Sequence, residues 1–257
     1  MSLDHLIAPA SQLKKVAGGF QGTEGPVFSR RGYLLFSETV AKRIMKWEAG
    51  KVSVFREKSN GSLGLTFDHQ GRLLACEAEA KRVTRTEKNG AITVLAKGLT
   101  EPNDLVYAID GSVYFTDLPA SRVYQVTRKG EVRVVAEDCK GPNGLALSPN
   151  QQKLYVADYL GKKVRVYDIE PDGKLRGGRD FAAVEGDGIK TDEGGNVWVA
   201  DGEGVAVFSA AGEQQGTLKV QESPSNLTFG DGFHGLYITA RTSVYHIPTR
   251  VAGTRTY

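Results

Sequence analysis

Four residues with hard-oxygen side chains stand at one register of this sequence: Glu24, Asn103, Asn143 and Asp187. Each opens a short motif: Glu24-Gly25-Pro26-Val27-Phe28, Asn103-Asp104-Leu105-Val106-Tyr107, Asn143-Gly144-Leu145-Ala146-Leu147 and Asp187-Gly188-Ile189-Lys190-Thr191. Two carboxylates and two carboxamide oxygens brought to one point make a ligand set suited to Ca²⁺ and acceptable to Mg²⁺, Mn²⁺ or Zn²⁺. The two negative charges balance one divalent cation. A lone Asn or Asp before Gly at a strand start does no more than form a turn. What points to a site is the recurrence of such residues at one register.

A second acidic set follows 14 or 15 residues further on: Glu38, Glu77, Asp117, Asp158 and Asp201. These are expected to cap turns and to pair with nearby cations such as Arg43, Arg82, Arg122 and Lys163. The four histidines, His5, His69, His234 and His246, miss the recurring register, and no Gly-x-Ser-x-Gly elbow is present. A His-based triad or a serine hydrolase is therefore not expected.

The elements that must position these residues follow from the repeat. Two further copies, Leu63-Gly64-Leu65-Thr66-Phe67 and Ser225-Asn226-Leu227-Thr228-Phe229, bring the total to six, with first positions 38 to 44 residues apart. Periods near 40 mark repeat architectures. Each copy precedes a turn and an apolar strand, as in Leu34-Leu35-Phe36 and Val197-Trp198-Val199. Hairpin signals such as Lys88-Asn89-Gly90 separate later strands. The pattern predicts an all-β, six-bladed β-propeller. In that ring, equivalent positions surround a central channel, so residues distant in sequence converge. The sixth copy ends before its outermost strand. The segment Leu13-Lys14-Lys15-Val16-Ala17-Gly18 lies where every other blade places its fourth strand, so it is expected to complete blade six and close the ring. Closure removes exposed sheet edges.

Six repeats fill nearly all of the 257 residues, giving one expected domain, 1–257. The 33 basic and 30 acidic residues are interspersed, which argues against a nucleic-acid partner. Two cysteines are too few for a disulfide framework and read as reduced packing residues of a cytoplasmic protein. The N-terminus has no apolar signal-like run, and no stretch approaches the length of a membrane span.

The motifs Glu24-Gly25-Pro26-Val27, Pro102-Asn103-Asp104, Pro142-Asn143-Gly144-Leu145-Ala146, Asp187-Gly188-Ile189 and Asn196-Val197-Trp198-Val199-Ala200-Asp201 occur in this order and spacing. On them the chain resembles, over nearly its full length, the family of senescence marker protein 30 and the gluconolactonases. The resemblance implies a six-bladed propeller with one catalytic divalent cation, held by Glu24, Asn143 and Asp187. It places Asn103 beside the cation, able to bind it or the substrate. Family members open sugar or other lactones, and related propellers hydrolyse organophosphates. The chain departs from the pattern at three places. Glu101 stands where the animal sugar-lactone enzymes have Arg, Leu63 where many bacterial relatives have Asn, and only Leu118-Pro119-Ala120-Ser121 where a substrate lid is often long.

The expected function is a metal-dependent lactonase acting on a small lactone. The cation, most simply Ca²⁺, would polarise the carbonyl, Asp187 would serve as base, and Asn103 and Glu101 would contact substrate. A ligating carboxylate can also attack as a nucleophile. The alternatives are a phosphotriester hydrolase on the same site and a non-enzymatic binding scaffold with a structural Ca²⁺. The sequence sets no oligomeric state.

Overall fold

The structure is a computed structural model that describes residues 2–255; Met1, Thr256 and Tyr257, which fall within the expected domain, lie outside the described residues. The described residues form six four-stranded antiparallel sheets arranged as a β-propeller. The inner strands are Thr23–Ser29, Ser62–Phe67, Pro102–Tyr107, Pro142–Leu147, Ile189–Thr191 and Pro224–Gly230. Period-two apolar patterning makes them strands. They are buried on both faces because each sheet packs between two neighbours. The hydrophobic core is accordingly divided into clusters rather than gathered at one centre. One packs Trp198, Val207, Leu227, Ile238 and Ile247 between blades five and six.

Blade six is completed as expected. The N-terminal strand Lys14–Gly18 pairs antiparallel with Ser243–Pro248, in the register Lys14↔His246 and Gly18↔Ser243. The residues ahead of it add to the seam, with Leu3, Leu6 and Ile7 buried in the cluster that holds Trp198 and Ile247. Ring closure therefore rests on apolar burial as well as on ladder hydrogen bonds.

A local irregularity recurs where the candidate residues sit. The pairing register shifts between Glu24 and Val27, Ser62 and Leu65, Pro102 and Leu105, Pro142 and Leu145, and Pro224 and Asn226. A bulge at a strand head re-aims side chains and ends the regular ladder. Proline suits this position because its missing N–H is not needed there. Hydroxyls of the second strands then anchor the freed backbone. Ser37 donates to the Leu63 carbonyl at 2.8 Å, and Thr116 donates to the Asn143 carbonyl at 2.7 Å.

The second acidic set divides. Glu38 pairs with Arg43 and Glu77 with Arg82, each at 2.7 Å. Asp117 and Asp158 do not take the expected partners. Asp117 accepts the Thr100 and Glu101 N–H groups, and Asp158 accepts those of Lys140, Gly141 and Gly161. Arg122 turns to Glu137 and Lys163 to Asp180. A buried carboxylate meets the unpaired N–H groups of the incoming linker more cheaply than it can bury a long cation. Cys76 and Cys139 are buried free thiols. Among the described residues, no helix is long and apolar enough to cross a membrane.

Candidate active site

Glu24 and Asp187 reach the same point of the channel from the two blades that flank blade six. Both line a cavity of about 640 Å³ that opens over blades four, five, six and one. Each is half-buried, while Asn143 is 7% exposed beside Asp187. Asn143 favours the charged form of the Asp187 carboxyl. The Glu24 carboxylate accepts the Gly25 N–H at 2.7 Å.

A third carboxylate lies beneath them. Asp104 is 2% exposed and holds its own strand head, accepting the Leu105 N–H at 2.8 Å. Asn226, also 2% exposed, bridges the group. Its Oδ1 accepts the Leu227 N–H at 2.8 Å, so its amide nitrogen must face the carboxylates. That nitrogen donates to Glu24 at 3.3 Å and to Asp104 at 3.2 Å. Room for both side chains comes from glycine in the neighbouring blades. A Cβ on Gly64 would lie 2.4 Å from Asp104 Oδ1, and one on Gly188 would lie 2.2 Å from Asn226 Oδ1.

Burial and mutual repulsion dominate the electrostatics. Burial, with Asp104 adding to it, pushes the Glu24 carboxyl up to about 7. The Asp187 carboxyl is pushed well above its ordinary value by burial and by the charges of Glu24 and Asp104. Lys190 and Arg241 oppose these shifts through space, Lys190 at Glu24 and Arg241 at Asp187. Among the described residues, no ion pair reaches Glu24, Asp104 or Asp187. Among the described residues, no three His, Cys, Asp or Glu side chains cluster tightly enough to hold a metal by themselves, so an ion here would need carboxamide oxygen as well. Two unpaired carboxylates with an adjacent carboxamide fit a hard divalent cation, which would relieve their repulsion.

Of the residues singled out from sequence, Glu24, Asn143 and Asp187 come together. Asn103 is half-buried at the head of its strand, and its side chain takes no hydrogen bond among the described residues. Glu101 is exposed, is held only through its N–H to Asp117, and does not line the cavity. Asp104, Asn226, Lys190 and Arg241 were not singled out. Asp104 and Asn226 were signalled, because the second position of the repeat is Gly in the other copies: Gly25, Gly64, Gly144 and Gly188. Lys190 was signalled too, as the one charge at a position otherwise held by Val27, Thr66, Val106, Ala146 and Thr228. It lines the narrow apolar channel beneath the carboxylates, about 50 Å³ in volume.

Fold and site together define a class: a six-bladed propeller whose channel mouth gathers paired carboxylates and a carboxamide. Residues 22–242 match the SMP-30/gluconolactonase/LRE-like region, and the chain belongs to that family. It is 27% identical to a gluconolactonase of Zymomonas mobilis, across 98% of this chain and 85% of that one. A shorter match, 29% identical over 38% of this chain and 35% of the relative, links it to an L-arabinolactonase of Azospirillum brasilense. The solved structure of a gluconolactonase from Xanthomonas campestris superposes with a TM-score of 0.87 at 30% identity, covering 95% of this chain and 94% of that one.

Proposed function

We propose that this protein is a metal-dependent lactonase that opens a small lactone in the cavity above Glu24 and Asp187. The observation that carries this reading is the convergence of Glu24 and Asp187, neither with a cationic partner, in a cavity of substrate size. Similarity to a gluconolactonase along nearly the whole chain supports the choice of lactone over phosphotriester.

Glu24, Asn143 and Asp187 would hold the cation, with Asn103 available as a fourth oxygen or as a substrate contact. A divalent cation, Ca²⁺ by the hardness of the donors, would supply a Lewis acid for the lactone carbonyl. Asp187 would take the proton of the attacking water. Glu24, locked by Gly25 and Asn226, has no freedom to swing toward substrate and serves as a fixed ligand. The same proton then passes from Asp187 to the ring oxygen as the acyl bond breaks, leaving a hydroxy acid.

The test is a panel of lactones and phosphotriesters, assayed with chelated protein and with Ca²⁺, Zn²⁺, Mn²⁺ or Mg²⁺ restored. Ion-dependent opening of at least one lactone is expected. Turnover of phosphotriesters alone would move the assignment to that chemistry, and no turnover at all would leave a binding scaffold.

A further inference from the structure

The cavity wall contains one cation. Among the described residues that line it, Arg241 alone is Lys, Arg or His, against the carboxylates Glu24, Glu185, Asp187, Asp201 and Glu203. The rim acids already have partners. Glu185 pairs with Lys162 at 2.9 Å and Glu203 with Lys219 at 2.5 Å, while Asp201 accepts the Glu203 and Gly204 N–H groups. The Arg241 guanidinium has none: among the described residues it makes no ion pair and no hydrogen bond. Its charge is nevertheless felt at the Asp187 carboxyl.

The backbone fixes this residue tightly. In the other five blades the turn between the second and third strands holds four residues, as between Glu38 and Arg43 or between Ala200 and Val205. In blade six Ala240 pairs with Ser243, so only Arg241 and Thr242 make the turn. Arg241 takes a φ of 44°, a left-handed conformation more usual for Gly or Asn. Its carbonyl accepts the N–H groups of Gly22 at 3.1 Å and Thr23 at 2.9 Å, tying the turn to the strand that carries Glu24. The shortened turn sets an exposed guanidinium in the cavity wall.

We infer that Arg241 is a specificity-determining residue of the lactone site, its guanidinium binding an exocyclic oxygen of the substrate. The inference rests on the lactonase reading. An exposed guanidinium with no protein partner, in a cavity otherwise walled by acceptors, matches a ligand that offers an acceptor oxygen at one end and hydroxyl donors elsewhere. A plain aliphatic lactone satisfies none of these groups. A lactone carrying a carboxylate would meet Glu185, Asp201 and Glu203 at like charge. On this account, hydroxyl recognition sits on the blade-six side of the channel and not at Glu101, which does not line the cavity.

The experiment compares wild type, Arg241→Gln and Arg241→Lys on an aldonolactone, on an aldarolactone bearing a free carboxylate, and on δ-valerolactone. Calorimetric binding of an aldonolactam and of δ-valerolactam runs in parallel and needs no turnover. Arg241→Gln is expected to raise KM and lactam Kd for the hydroxylated ligand by about tenfold or more, with kcat little changed. δ-Valerolactone and δ-valerolactam should shift by less than about twofold, Arg241→Lys should fall between, and the aldarolactone should be the weaker substrate of wild type. The melting temperature should not move, because the side chain has no partner to lose. Equal losses on hydroxylated and plain ligands, or no loss on either, would overturn the inference. A wild type that turns over no lactone but still loses aldonolactam binding on Arg241→Gln would instead contradict the enzymatic reading while keeping the site.

Discussion

Glu24 and Asp187 are residues for which the charged form is disfavoured by the fold itself. In the ion-free protein, a carboxyl whose proton affinity rises on folding stabilises the native state below its ordinary value near 4.5. That contribution is lost as pH rises through about 7, the value for Glu24. A bound cation reverses the sign, because it competes with the proton for the same oxygens. Calorimetric Ca²⁺ titrations at pH 5.5, 6.5 and 7.5 should show affinity rising with pH and protons released on binding. The chelated protein should lose melting temperature over the same window. A pH-independent affinity would mean that these carboxyls are not the ligands. Asn226 belongs to the same scale. Asn226→Ala removes the amide shared by Glu24 and Asp104 and should destabilise the chelated protein by about 1–3 kcal/mol in denaturant titrations. An unchanged transition midpoint would show that the bridge is idle. Glu24, Asn143 and Asp187 were legible in the sequence because a repeat places them at one register. Arg241 was not, because its position depends on a turn shortened in a single blade.

At the scale of elements, the site is made by bulges at the heads of inner strands and by glycines that let large neighbours cross the channel. Gly188→Ala tests this directly, since its Cβ would lie 2.2 Å from Asn226 Oδ1 and 2.6 Å from Asn226 Cα. Neither the side chain nor the backbone can give cheaply. The variant should lose about 1–3 kcal/mol of stability together with Ca²⁺ affinity. Retention of both would contradict the account of how the ring is packed. The strands and their order were legible from period-two patterning and turn chemistry. The pairing of the second acidic set was legible only in part. Glu38–Arg43 and Glu77–Arg82 formed, but Asp117 and Asp158 were claimed by backbone N–H groups of the linkers, a competition that sequence spacing does not reveal.

The whole molecule is a ring, and a ring has one seam. The N-terminal strand closes it, and Leu3, Leu6 and Ile7 seal its end against blade six. Deleting residues 1–18 exposes the edge of Ser243–Pro248 and uncovers that cluster, and should lower the melting temperature by about 10 °C or more. An unchanged melting curve would contradict closure by this strand. The seam was legible because every other blade places a fourth strand directly before the next copy of the repeat. Beyond Glu24 and Asp187, only Asp201 of the charged cavity wall stood out in the repeat; Glu185, Glu203 and Arg241 did not, because they come from loops whose lengths, and not their patterns, bring them together.

The central claim is that an ion held by Glu24, Asn143 and Asp187 acts with Asp187 as base on a lactone. It is tested most directly by Asp187→Asn, which keeps an oxygen ligand and removes the basicity. Aldonolactone opening is followed as acid release at pH 7, with Ca²⁺ occupancy measured on the same samples. The account predicts that Asp187→Asn retains bound ion and loses at least about a hundredfold in rate relative to wild type. Wild-type turnover by Asp187→Asn with the ion bound would contradict the role given to Asp187, and wild-type turnover that survives complete removal of the ion would contradict the site as a whole.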